Sequence, residues 1–194
     1  MANGLRVSRR AVIGAGLALT MPLPAWADTG FTIDWQGGEQ TQEVAASLAA
    51  QIALVERLAI SDEVMAFFRA QVITVDRAMD TKTRAGPRGI FFERSAVPKD
   101  NPVLLHELIH RWQLERMPGG QANADVHRFY DAARRDEQFR ADSYMMTNAF
   151  EFFAMAASVV LYGRAERPPY DRANVQRRAP ELYRFIVREF GFRG

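Results

Sequence analysis

The sequence predicts an α+β domain in which a small sheet precedes a mainly helical half, and three observations carry that prediction. The chain has 194 residues, 48% of them hydrophobic, enough to enclose one core. Short runs rich in β-branched and aromatic residues, punctuated by Gly and Pro, fill much of the first half. From about residue 101 onward the apolar positions recur at helical spacing instead. There is no cysteine, so disulfides play no part, and no repeat or low-complexity tract interrupts the chain.

Residues 1–27 read as an address and not as part of the fold. "MANGLRVSRR" is a basic lead, "AVIGAGLALTM" a short apolar run and "AWA" before Asp28 a small-x-small cleavage site. Ser8, Arg9 and Arg10 resemble the twin-arginine export signal of bacteria, with Val12 and Ile13 as its apolar tail, although the phenylalanine often found there is absent. Pro22 and Pro24 cut the run short of the ~20 residues a membrane anchor needs. The expectation is therefore cleavage, no stable anchor afterwards, and a mature chain of residues 28–194 in the periplasm or outside the cell. Losing Arg6, Arg9 and Arg10 takes the 25 basic residues to 22 against 23 acidic, a net charge of −1. The remaining arginines are interleaved with acids and form no long basic stripe, which speaks against a nucleic-acid partner.

The mature chain is expected to open with a short strand in "FTIDW", followed by a helix over residues 41–60 on the rhythm Val44, Leu48, Ile52, Val55 and Leu58. "SDEVMAFFRA" starts a second helix at a Ser61 or Asp62 cap. "QVITVDR" and "GIFFERS" read as strands separated by the Gly/Pro/Arg-rich "TKTRAGPRG". Helices are predicted over residues 102–116, about 122–135, 148–162 and 179–190, the first with Asn101 as cap and Pro102 in its first turn and with "MPGG" as its stop.

That first helix carries "HELIH", residues 106–110. Histidines four apart lie within about 40° of each other on a helix, so both imidazoles can reach one zinc ion, and Glu107 beside them can take a proton from an activated water. Leu105, Leu108, Ile109 and Trp112 form the core stripe on the other side. A catalytic zinc usually needs a third protein ligand. The extended motif that ends in a third histidine is excluded, because Gln113 and Arg116 stand where it needs Gly and His. His127 reads as a surface or satisfied helix residue, which leaves a glutamate on a second helix. Glu151 in "NAFEFFAMAASVV" qualifies, and it equally fits a capping box with Asn148. Burial favours the ligand reading, since a carboxylate in so apolar a helix requires a counter-charge.

"SYMMTNAFEFFAMA", residues 143–156, together with "HELIH" and "APELYRFI" at 179–186, resembles the zinc protease domain of anthrax lethal factor and its relatives, a branch of the glutamate-ligand zincins. The resemblance spans roughly residues 100–190. It implies a zincin-like fold, one zinc per chain held by His106, His110 and Glu151, Glu107 as general base and Tyr144 as the catalytic tyrosine. From its neighbours alone Tyr144 reads equally as a half-buried packing residue. The family commonly carries a second glutamate four residues after the zinc-binding one, where this chain has Met155. A carboxylate that would orient a histidine is thus missing unless Asp142 or another acid replaces it.

The resulting expectation is an exported zinc metallopeptidase acting on an extended peptide or protein. "GIFFERS" either offers a free strand edge for that substrate or is an ordinary internal strand. The alternatives are an inactive zinc-binding module that grips peptides or a partner, and a structural exported protein without metal.

Overall fold

The computed structural model describes residues 29–37, 40–75, 77 and 82–194; the predicted export signal, residues 1–27, lies outside the described residues. Among the described residues no helix is long and apolar enough to cross a membrane. The predicted α+β class is observed. Strands β1 (Thr32–Trp35), β2 (Val72–Val75), β3 (Arg84–Gly86) and β4 (Gly89–Phe92) form one sheet in the order β1-β2-β4-β3. The first three in that order run parallel, and β3 turns back antiparallel along β4 to make the edge. Helices α1 (Gln42–Glu56) and α2 (Asp62–Arg69) connect β1 to β2, and the second half holds α3 (Val103–Glu115), α4 (Ala124–Arg135), α5 (Ala149–Tyr162), α6 (Arg172–Arg178) and α7 (Pro180–Glu189).

Alternation places Ile73 and Val75 of β2 and Ile90 and Phe92 of β4 in the core, all fully buried. α3 lies against β3, β4, α1 and α5, while α5 also packs on α4, α6 and α7. α5 is buried nearly all round, with Phe152, Phe153, Ala154, Ala156, Ala157, Val159 and Val160 fully enclosed. Each of its two central phenylalanines contributes about 1.5–3 kcal/mol by leaving water. Asn148 caps the helix by accepting the Glu151 N–H at 2.9 Å, and Gly163, with φ of 107°, ends it.

Three local readings are settled by the structure. Of the two left open for "GIFFERS", the ordinary internal strand is the one observed, since β4 pairs with β2 on one side and β3 on the other and offers no free edge. The edge beyond β4 is β3, inside the segment read as a separator, and β1 is the opposite edge. Pro87 and Arg88 make a tight turn between Gly86 and Gly89. At Gly89 φ is +125° and a Cβ would stand 2.5 Å from the Val72 carbonyl oxygen, so the hairpin requires glycine there.

The second, a correction, concerns the start of α3. Asn101 does not cap it; Pro102 occupies the cap position with no side-chain hydrogen bond. Gln51 of α1 supplies the acceptor instead, its Oε1 taking the Leu104 N–H at 3.1 Å while its amide donates to the Asn101 carbonyl at 2.9 Å. An otherwise orphaned helix donor is thus satisfied from another helix. Third, α6 was not anticipated. Its seven residues bury Val175 alone and are set by the Asp171 cap, so no apolar stripe announces it.

Candidate metal centre

α3 and α5 meet so that the first turn of α5 faces the middle of α3. His106 and His110, one helical turn apart, bring their rings to 4.5 Å between centroids, edge to face. Their Nε2 atoms stand 3.1 and 3.5 Å from the same oxygen of Glu151. One ligand atom from each of the three residues lies within 4.8 Å of the others. Two imidazole nitrogens and a carboxylate oxygen, largely buried and converging on one point, form a donor set suited to zinc. The three residues could hold a metal ion.

The same geometry decides between the two uses of Glu151. Its backbone N–H is capped by Asn148, yet its carboxylate turns to the two histidines, so half of a capping box coexists with a ligand. Burial acts to raise its pKa, but hydrogen bonds from His106 and His110 hold it far below the usual carboxylate range. Burial lowers the pKa of His110, favouring the neutral imidazole that ligation requires.

Glu107 is held differently. Its carboxylate accepts the Ala85 N–H of edge strand β3 at 2.6 Å and is otherwise enclosed. Burial pushes its pKa up to about 7, against the lowering effects of His106 and of that amide. A carboxylate poised there can both take and return a proton near neutral pH.

Tyr144 leads a single turn of 3-10 helix, residues 144–146, just ahead of α5. It is half-buried, 44% exposed, and its ring lies 6.5 Å from that of His106. Burial of its hydroxyl, together with the nearby Glu151 carboxylate, pushes its pKa up to about 12, so it stays a hydrogen-bond donor. The Arg167 guanidinium lies over the Tyr144 ring, 5.7 Å from its centroid.

A cleft crosses the site in two lobes that share Thr83, Glu107 and Tyr144. The lobe on the His110 side measures about 610 Å³ and runs beneath β3 past Arg84, Arg111, Glu115 and Phe150. The lobe on the His106 side measures about 470 Å³ and reaches Val103, Met155 and Arg167.

The structure brings together His106, Glu107, His110, Tyr144 and Glu151, all five residues singled out from the sequence. The two histidines and Glu107 are buried, although the core stripe had been placed on the opposite side of α3. His127 lies elsewhere, exposed on α4, with its Nε2 3.0 Å from the Gln121 carbonyl oxygen. Asp142 does not replace the missing carboxylate: it is exposed and paired with Arg140. The buried Nδ1 atoms of both histidines have no hydrogen-bond partner among the described residues.

Sequence reasoning missed two supporting residues. Phe150 stacks on the His110 ring at 4.0 Å between centroids. Arg111, also buried, donates to the Gly86 carbonyl at 2.5 Å and to Gln71 Oε1 at 2.9 Å, and pairs with Glu115, fastening the edge strand to α3. Phe150 carried a signal, an aromatic beside the candidate ligand. Arg111 carried only an ordinary i,i+4 pairing with Glu115, because the Gly86 and Gln71 that it fastens are distant in sequence.

No family model and no curated protein matches the chain in sequence. In three dimensions it is similar to the solved structure of the Pro-Pro endopeptidase of Paenibacillus alvei, with a TM-score of 0.56 and 16% identity over 82% of this chain and 96% of that one. The likeness establishes a zincin-like fold.

Proposed function

We propose that the chain is a zinc-dependent endopeptidase, carried by one observation above the rest: His106, His110 and Glu151 converge on a single point while Glu107 is held beside them by the edge strand. The zincin-like fold shared with a Pro-Pro endopeptidase supports this reading, as does the resemblance of residues 143–156 to the lethal factor protease domain.

His106, His110 and Glu151 would hold one zinc, which when bound supplies Lewis acidity and an activated water. Glu107 takes the proton of the attacking water and passes it to the leaving amine nitrogen. The Tyr144 hydroxyl donates a hydrogen bond to the oxygen that becomes negative when the carbonyl carbon turns tetrahedral. The Ala85 amide keeps the Glu107 carboxylate aimed into the cleft. The substrate is an extended peptide lying in the cleft beside β3, which is an edge strand among the described residues and gives its Ala85 N–H to Glu107.

Peptide-library cleavage that disappears with a chelator such as 1,10-phenanthroline and returns with zinc tests this function. Chelator-insensitive cleavage contradicts it. A second reading, a zinc-binding module that grips peptides without cutting them, draws on the unpartnered histidine Nδ1 atoms and on Met155. Stoichiometric zinc with no cleavage of any library peptide would select it.

Export also belongs to this proposal. The twin-arginine-like segment would carry the chain out already folded, with its metal loaded in the cytoplasm, to the periplasm or beyond. Replacing Arg9 and Arg10 with lysine then strands the precursor inside, and normal export of that variant contradicts the route.

A further inference from the structure

We propose that Phe150 is a positioning residue of the metal centre: its ring, stacked on His110, orients a ligand that no hydrogen bond orients. The inference rests on reading His106, His110 and Glu151 as metal ligands and adds the residue that holds one of them in place. A histidine that binds a metal through one ring nitrogen is ordinarily aimed by a hydrogen bond at the other. Here Nδ1 of His110 is buried without a partner among the described residues, and so is Nδ1 of His106. No carboxylate makes up for this, since Met155 stands one helical turn after Glu151 and Asp142 is exposed and paired with Arg140. Contacts between rings are left to fix the orientation.

Those contacts form a row. Phe150 lies 4.0 Å from His110 between centroids with the planes 21° apart, His110 meets His106 edge to face at 4.5 Å, and His106 lies 6.5 Å from Tyr144. The stack on His110 is the tightest of the three. Rotation of that imidazole about its Cβ–Cγ bond would drive its edge into the phenyl face, so the stack keeps the plane that aims Nε2 at the Glu151 oxygen, 3.5 Å away. One helical turn delivers both contacts. Asn148 caps α5 at the Glu151 N–H, and the consecutive residues Phe150 and Glu151 then hold the same histidine, one at its face and the other at its nitrogen.

The stack has an electronic side as well. An imidazole that shares its lone pair with a cation becomes electron-poor, and an electron-poor ring is drawn more strongly to the negative face of a phenyl group. The contact therefore favours the metal-bound state over the empty one. Phe150 also borders the lobe on the His110 side, so activity alone would not separate its hold on His110 from its place in the cleft wall.

The test is made on the full chain without peptide, reading zinc affinity by competition with a chromophoric chelator and the visible spectrum of the Co²⁺-loaded chain, which reports how the ligands surround the metal. Leucine keeps apolar bulk at this position but offers no π face. Phe150→Leu should bind zinc about 10-fold more weakly than wild type and shift the Co²⁺ spectrum, whereas Phe150→Tyr should match wild type in both. Phe150→Ala should lose at least as much as Phe150→Leu. Should the alanine variant fail to fold, the Leu and Tyr pair still decides the matter. Unchanged zinc affinity and Co²⁺ spectrum in Phe150→Leu overturn the positioning role, as does a loss in Phe150→Tyr as large as that in Phe150→Leu. A wild-type chain that binds no zinc overturns the metal centre and this role with it. Zinc affinity that follows the ring in a chain that cleaves no library peptide overturns the peptidase reading and leaves the role of Phe150 standing.

Discussion

Two stretches of helix face the same few ångströms of space and hold their carboxylates in opposite states. In the middle of α3, Glu107 is enclosed, offered one backbone amide, and pushed up to about 7. In the first turn of α5, Glu151 meets two imidazoles and is held well below its ordinary range. The difference lies in partners more than in burial, since burial acts to raise both. Two carboxylates driven apart in this way can divide the chemistry, one remaining an anion for ligation and the other exchanging a proton.

The comparison breaks most visibly by exchanging the losses. Glu151→Ala should abolish metal retention and all activity together, whereas Glu107→Gln should keep the metal and lower kcat by about 10²–10⁴. Metal analysis after gel filtration, paired with cleavage rates, reads both. Equal metal loss in the two variants would erase the division of labour.

Tyr144→Phe removes the donor without touching either carboxylate. A fall in kcat of about 10²–10³ with little change in KM is expected. An unchanged kcat would reduce Tyr144 to a wall of the cleft.

The raised pKa of Glu107 also has a signature in stability. In the metal-free chain the folded state holds this proton up to about pH 7, while the unfolded chain releases it near 4.3. The contribution is therefore complete below that lower value and is lost as pH rises through 7. Metal-free Glu107→Gln should exceed metal-free wild type by about 3–4 kcal/mol at pH 8, with the gap closing near pH 4. Urea unfolding at the two pH values measures it, and a gap independent of pH would place Glu107 in an ordinary environment.

A smaller effect is expected where α3 is anchored. Gln51→Leu leaves the Leu104 N–H without its acceptor and should cost about 1–3 kcal/mol, again read by urea unfolding. The same variant should leave metal retention largely unchanged.

How much of this was legible follows from how local each feature is. "HELIH" could be read because i, i+4 spacing is a property of one helix, and Glu151 stood out as a lone charge in an apolar run. The edge strand could not, because three residues beside a Gly-Pro turn look like a loop until β4 is there to pair with them. Gln51 and Arg111 were equally silent. Leu104, which Gln51 caps, lies 53 residues away and Gln71, which Arg111 holds, lies 40 away, and only the folded chain makes a glutamine into a helix cap or an arginine into the fastening of a strand. Met155 was noticed for what it lacked, and the lobe it lines gives it a place.

The central claim is that α3 and α5 assemble one zinc site in which Glu107 does proton chemistry. Zinc content and peptide-library cleavage, measured on the same preparations of wild type and Glu107→Gln, test it most directly. The account predicts one zinc per chain in both proteins and cleavage by Glu107→Gln about 10²–10⁴-fold slower than by wild type. Undiminished cleavage by zinc-loaded Glu107→Gln, or a wild-type chain that binds no zinc, would contradict it.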